Sequence, residues 1–207
     1  MDNQKKIIER LRKEYADTTT ALHFENPYEL MVATILAAQC TDARVNIVTK
    51  DLFPKYPSPK ELAQADICEL EGYIKTCGLY KSKAKNLIAC AQRIMTEYGG
   101  KVPHTMEDLT SLAGVGRKTA NVVLAFAFGV PAFPVDTHVK RVTNRLGLAH
   151  SDNPDKVEKQ VTKIIKKEDW TAAHHWLIWH GRRVCKAQKP LCGQCCVADL
   201  CPYDKKQ

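Results

Sequence analysis

The stretch Leu112-Ala113-Gly114-Val115-Gly116-Arg117-Lys118-Thr119-Ala120-Asn121 decides the fold. Two glycines, two positions apart, let the backbone turn tightly and approach another surface with no Cβ between them. Upstream, Thr105 and Asp108 read as a capping box for a short helix whose apolar side is Leu109 and Leu112. Downstream, an apolar helix runs from about Lys118 to Phe128 and is stopped by Gly129 and Pro131. The element is therefore helix, Gly-Val-Gly turn, helix, over about residues 105–129. Its second helix begins at the turn, so its first N–H groups point outward and favour a phosphate. On DNA such a turn holds a backbone oxygen without reading sequence. A nucleotide-binding P-loop is excluded, because Gly116 is followed by Arg117 and no glycine stands five residues earlier. The dinucleotide fingerprint fails as well, since no strand precedes the turn. A glycine-rich loop between two packed helices accounts for the same residues.

Lys118 sits in the first turn of that second helix, where the macrodipole is positive and a cation is misplaced. The same field disfavours the ammonium and is expected to lower the lysine pKa. A neutral amine is a nucleophile that can form a Schiff base with a carbonyl carbon. A solvated lysine, or one that pairs with a phosphate, is the plainer reading.

Outward from this element the pattern is helical throughout. Ile7, Ile8, Leu11 and Tyr15 recur at helical spacing. Asn26-Pro27 opens a segment that is apolar on all sides from Leu30 to Ala38, as expected of a helix through the middle of a core. Further helices are expected over Asp42–Phe53 (closed by Pro54), Lys60–Ala65, Asp66–Cys77 and Ser82–Tyr98. Beyond the turn they are expected over Thr137–Leu146 (capped by Asp136), Val157–Ile165 and Thr171–Arg183. No strand pattern and no internal repeat is visible. The fold class is all-α.

The chain has 207 residues, enough for one domain or two small ones. It contains no apolar run of about 18 residues, which leaves no transmembrane segment and no membrane partner. Residues 1–15 are charged and lack an apolar signal core, an expectation of the cytoplasm. The net charge is +8, and it is uneven. Residues 1–136 hold 17 basic and 16 acidic side chains, residues 137–207 hold 14 and 7. A basic C-terminal third points to a polyanion, with nucleic acid the default.

Of nine cysteines, Cys185, Cys192, Cys195, Cys196 and Cys201 fall within 17 residues. Metal ligation is the stronger reading of such a cluster when no secretory signal is seen. The spacing Cys185-x6-Cys192-x2-Cys195-x5-Cys201 suits zinc or an iron–sulfur cluster and leans toward the cluster, because zinc modules usually separate two C-x2-C pairs by a longer segment. Cys196 is a chemically possible substitute ligand. Lys186 and Lys189, between the first two ligands, would make a phosphate-contacting loop.

Together these elements resemble the endonuclease III family of DNA repair glycosylases over about residues 5–203. The resemblance is carried by Ala38-Gln39-Cys40-Thr41-Asp42, by Gly78-Leu79-Tyr80-Lys81-Ser82-Lys83-Ala84, by the Leu112–Val123 helix–hairpin–helix, by Val135-Asp136-Thr137-His138 and by the four-cysteine pattern. It implies a bilobal all-α fold. A six-helix domain over residues 20–131 would contain the hairpin, and residues 1–19 with 132–207 would form a domain holding a [4Fe-4S] cluster on Cys185, Cys192, Cys195 and Cys201. DNA would lie between the two.

The resemblance also implies chemistry. Lys118 would be the nucleophile that attacks C1′, expels the base and forms a Schiff base, with β-elimination cutting the strand 3′ to the lesion. Asp136 would stabilise the cationic sugar and assist proton transfer. Its carboxylate must then face the DNA, although without the family context Asp136 reads as a helix N-cap. Gln39 would fill the space left by the extruded nucleotide and Leu79 would wedge beside it. Taken alone, these two read as a helix-end polar residue and a buried leucine. Gly114, Gly116, His138, Lys186 and Lys189 complete the expected DNA contacts. The expected substrate is duplex DNA bearing oxidised or ring-saturated pyrimidines or abasic sites, acted on by a monomer at the nucleoid. A monofunctional relative would lack the lysine at 118. A non-catalytic binding or redox-sensing module would have no use for Lys118 together with Asp136.

Overall fold

A computed structural model describes residues 2–18 and 20–203, and among them every regular element is helical. The chain divides into two compact units, Thr20–Val130 and the chain ends Met1–Thr19 with Pro131–Gln207.

The Thr20–Val130 unit is built around one buried helix. With α1 (Asp2–Glu14) in the other unit, this central helix is α2, Pro27–Leu36. Asn26 caps it by accepting from the Glu29 N–H at 3.0 Å, and Pro27 supplies a preset first turn. Every residue from Leu30 to Leu36 is buried, so no face is left for solvent. Around it lie α3 (Asp42–Lys55), α6 (Tyr80–Glu97) and α8 (Arg117–Ala127), with α4 (Pro59–Ala63), α5 (Ile67–Ile74) and α7 (Met106–Ser111) completing the unit. Helix starts follow the side-chain acceptors Thr41, Ser58, Asp66 and Thr105, each of which takes a first-turn N–H.

Several expected boundaries move, among them the end of α5, which lies at Ile74 rather than Cys77. Pro54 does not close α3 but sits inside its last turn. There the only backbone group it forfeits is a bond near a frayed, exposed end, and Tyr56 N–H still reaches the Leu52 carbonyl at 2.9 Å. Helix α6 begins at Tyr80, two residues earlier than expected, directly after a left-handed Leu79. Helix α10 runs Pro154–Val161, three residues earlier than expected. Asn153 accepts from the N–H groups of Asp155 and Lys156 and Pro154 occupies the first position, a start signal as clear as Asn26-Pro27.

The second unit packs α1 against α11 (Trp170–Arg183) and α11 against α9 (Thr137–Arg145), with α10 beside α9. Ile7 and Leu11 of α1, Val139 and Val142 of α9, Val157 and Val161 of α10, and Trp176 and Leu177 of α11 form its core. Val197, from the cysteine-rich segment, is fully buried in the same core and anchors that segment to the helices.

Candidate active site

In the Thr20–Val130 unit the hairpin between α7 and α8 takes the expected form, and its two glycines serve different ends. Gly114 has φ +77°, and a Cβ there would stand 3.0 Å from Cβ of Asn86 on α6. The fold itself requires that glycine. Gly116, the N-cap of α8, has φ −86°, and a Cβ would meet nothing within 4 Å. Nothing inside the protein demands it, which leaves its bare surface to whatever approaches from outside. Lys118 is the second residue of α8 and is exposed, directly behind this turn.

Gln39 and Leu79 occupy two neighbouring turns of the same unit. Gln39 follows the end of α2 with φ 54°, Leu79 precedes α6 with φ 60°, and a Cβ on Gly78 would lie 3.1 Å from the Gln39 carbonyl. Leu79 is 59% exposed, which overturns the reading of a buried leucine. A left-handed leucine costs about 1–2 kcal/mol, and here the residue remains mostly exposed. Strain of this kind concentrates at functional turns.

The chain-end unit holds Asp136, His138 and the cysteines. Asp136 is the N-cap of α9, its Oδ1 accepting the Val139 N–H at 2.7 Å. His138 is the second residue of α9, with Nδ1 3.2 Å from Nη2 of Arg141. Sequence reasoning missed Arg141 and Arg145, which lace α9 to the cysteine-rich loop. Arg141 donates to the Cys185 and Gly181 carbonyls at 3.1 and 2.9 Å. Arg145 donates to the Lys186 and Ala187 carbonyls at 2.7 and 3.0 Å and lies over the Tyr203 ring. The available signal was their i, i+4 spacing on one helix face, where two arginines beside a cation-seeking loop invite the question of what they hold. Lys186 and Lys189 stand exposed on the loop so fixed.

Cys185, Cys192, Cys195 and Cys201 line one cavity, together with His180 and Arg145. Cys196 does not line it, and the Cys196 carbonyl instead accepts from Arg10 of α1 at 3.2 Å. A tetrahedral metal ion would draw four sulfurs to about 2.3 Å from one point. Among the described residues no group of three or more His, Cys, Asp or Glu side chains makes such a single-ion site. A cubane cluster binds each of its four thiolates to a different iron, so it asks for four cysteines around one shared space rather than four sulfurs at one point, and these four share one lining. Side-chain nitrogens face two of the sulfurs. Arg145 Nη1 is 3.7 Å from Cys185 Sγ, and His180 Nε2 is 3.6 Å from Cys195 Sγ, with Tyr15 Oη 3.0 Å from the other ring nitrogen. Such outer contacts orient ligands and draw charge from them.

The sequence profile of the HhH-GPD superfamily of base excision DNA repair proteins matches residues 32–167, and that of the iron–sulfur binding domain of endonuclease III matches residues 185–201. The chain is thus a helix–hairpin–helix base excision repair glycosylase with a [4Fe-4S] cluster. Endonuclease III of Synechocystis is 49% identical over 95% of this chain and 90% of its own, and that of Escherichia coli K12 is 44% identical over 97% and 95%. A solved structure of a trapped endonuclease III–DNA covalent intermediate superposes with a TM-score of 0.92 at 46% identity, covering 96% of this chain and 93% of that one. A thermostable thymine-DNA glycosylase shares the fold, with a TM-score of 0.88 at 24% identity. The chain belongs to the endonuclease III family, DNA glycosylases with associated AP lyase activity.

Proposed function

We propose that Lys118 and Asp136 carry the glycosylase and lyase chemistry of this chain, on duplex DNA containing oxidised or ring-saturated pyrimidines or abasic sites. The neutral Lys118 Nζ attacks C1′, and the base departs with the electrons of the glycosidic bond. The sugar ring then opens to a protonated Schiff base between Nζ and C1′. Loss of a proton from C2′ expels the 3′ phosphate, and water releases the lysine. The observation that carries this reading is an exposed lysine in the first turn of α8, directly behind Gly116, where a Cβ would meet nothing within 4 Å.

Asp136 serves two ends with two oxygens. Oδ1 is committed to the Val139 N–H, which fixes the carboxylate on the rigid start of α9. Oδ2 stabilises the positive charge that develops on the sugar as the base leaves. Gln39 and Leu79 enter the duplex at the extruded nucleotide. Gly114 and Gly116, with the first N–H groups of α8, hold a phosphate, and His138, Lys186 and Lys189 hold others. The four cavity cysteines bind the cluster, which keeps the basic loop rigid against DNA. The protein acts as a monomer on the nucleoid.

The test is product analysis on a duplex carrying a single 5,6-dihydrouracil. The reading expects free base together with a nick bearing a 3′ unsaturated aldehyde. A nick ending in a 3′ hydroxyl, or base release with no nick, contradicts the lyase half. No release from any oxidised or saturated pyrimidine contradicts the substrate class.

A further inference from the structure

Lys83 belongs to the segment Gly78–Ala84 that carries the family likeness, yet none of the chemistry above uses it. It is a lysine buried to 4% exposure, on the apolar stripe of α6 with Ala84, Leu87, Cys90, Ala91 and Ile94. No carboxylate pairs with it among the described residues. Its ammonium instead donates to two main-chain carbonyls at the end of α2, Leu36 at 2.8 Å and Ala38 at 2.6 Å. Its own backbone N–H donates to the Leu79 carbonyl at 3.0 Å. One residue therefore grips the chain immediately before Gln39 with its side chain and the left-handed Leu79 with its backbone.

Taking an ammonium out of water carries a large desolvation penalty. Burial accordingly holds the Lys83 pKa below the ordinary lysine value, with the thiols of Cys77 and Cys40 opposing the shift. The negative end of the α2 dipole returns part of that cost. An apolar side chain of equal length would fill the same space without the desolvation but would take this donor from the Leu36 and Ala38 carbonyls. What the charge supplies is direction. Two short charge-assisted bonds set the α2 terminus against the start of α6, and the 3.1 Å approach of Gly78 to the Gln39 carbonyl leaves little room for the two turns to slide.

We infer that Lys83 is a positioning residue that holds Gln39 and Leu79 at the mutual spacing needed to open a base pair. This rests on the reading that both side chains enter the duplex. The experiment is a double-mutant cycle in single-turnover excision of dihydrouracil. It compares the parent, Lys83→Met, the pair Gln39→Ala/Leu79→Ala, and all three together. Circular dichroism and the visible absorption of the cluster check the fold of each. A second readout is 2-aminopurine beside the lesion, whose fluorescence rises when neighbouring bases unstack.

Lys83→Met is expected to slow excision about tenfold or more and to suppress the fluorescence rise, while adding less than about twofold to the loss in the Gln39→Ala/Leu79→Ala background. Lys83→Arg, which keeps the donors, is expected to recover most of the rate. If Lys83→Met fails to fold, Lys83→Gln takes its place in the cycle. Losses that multiply in the triple variant, or a normal fluorescence rise in Lys83→Met, overturn the inference and leave the wedge reading intact. A Gln39→Ala/Leu79→Ala enzyme as fast as the parent overturns the wedge reading, and the inference with it.

Discussion

Gly114 and Gly116 look alike in the sequence and differ in what requires them. At Gly114 an alanine would face both a left-handed backbone and the Asn86 side chain, so Gly114→Ala is expected to cost about 1–3 kcal/mol of stability. At Gly116 the same change meets open space on an ordinary backbone. Gly116→Ala is expected to shift stability by less than about 1 kcal/mol yet weaken DNA binding about tenfold, on the proposal that Gly114 and Gly116 hold a phosphate. Thermal melts and fluorescence anisotropy separate the two effects. Asp136 can be divided in the same way. Asp136→Asn keeps an Oδ1 acceptor for the Val139 N–H and removes the charge. Stability is expected to hold within about 1 kcal/mol while base excision falls about a hundredfold or more. A melt as damaged as the rate would mean that the carboxylate works only as a cap.

At the scale of elements, capping chemistry made most of the fold legible in the sequence. Asn26, Asp66, Thr105 and Asp136 each announce a helix start through one local hydrogen bond, and each start lies where that bond places it. What stayed hidden depends on long-range geometry. Lys83 stands among Lys81, Ser82 and Lys85 and looks like part of a solvated face, although its register with Leu87 and Ile94 is that of the buried stripe. The exposure of Leu79 follows from a left-handed turn that no periodicity reveals. Helix α9 carries Asp136 at one end and grips the cysteine loop along its length. Arg145→Met is therefore expected to loosen residues 185–187, lowering DNA affinity several-fold and hastening oxidative loss of the cluster's visible absorption. Equal affinity and equal cluster lifetime would show that the loop holds itself.

Helix α11 adds a pH dependence. Burial, with His174 and Arg182 nearby, pushes His175 down to about 3. Below the ordinary histidine value of about 6.5 the unfolded chain takes up a proton that the folded chain refuses, so stability falls as pH drops from about 6.5 toward 3. The slope from this residue approaches about 1.4 kcal/mol per pH unit. The difference between the parent and His175→Gln in denaturant melts across that range isolates it. Parallel curves would contradict a neutral buried imidazole.

For the whole molecule the uneven charge is the broadest signal, with residues 137–207 holding 14 basic against 7 acidic side chains. Binding through phosphates releases counterions, so affinity for undamaged duplex is expected to fall steeply and log-linearly with salt. Lys186→Ala and Lys189→Ala should each reduce that slope by roughly one. An unchanged slope in both would remove the cysteine loop from the DNA surface. Composition and motif order foretold the all-helical class and the repair family, because the hairpin and the cysteine spacing are local patterns. The motif resemblance also set Cys196 apart from the four cavity cysteines, whereas which oxygen of Asp136 takes the Val139 N–H was not legible, because it depends on side-chain geometry.

The central claim is that Lys118 forms a covalent imine with the sugar. The protein is mixed with a duplex carrying one oxidised pyrimidine and reduced with borohydride, and the protein–DNA adduct is isolated, digested and mapped. The parent is expected to give an adduct on Lys118, and Lys118→Ala is expected to give none while still binding the duplex. An adduct of equal yield in Lys118→Ala, or base release by the parent with no adduct at all, would contradict it.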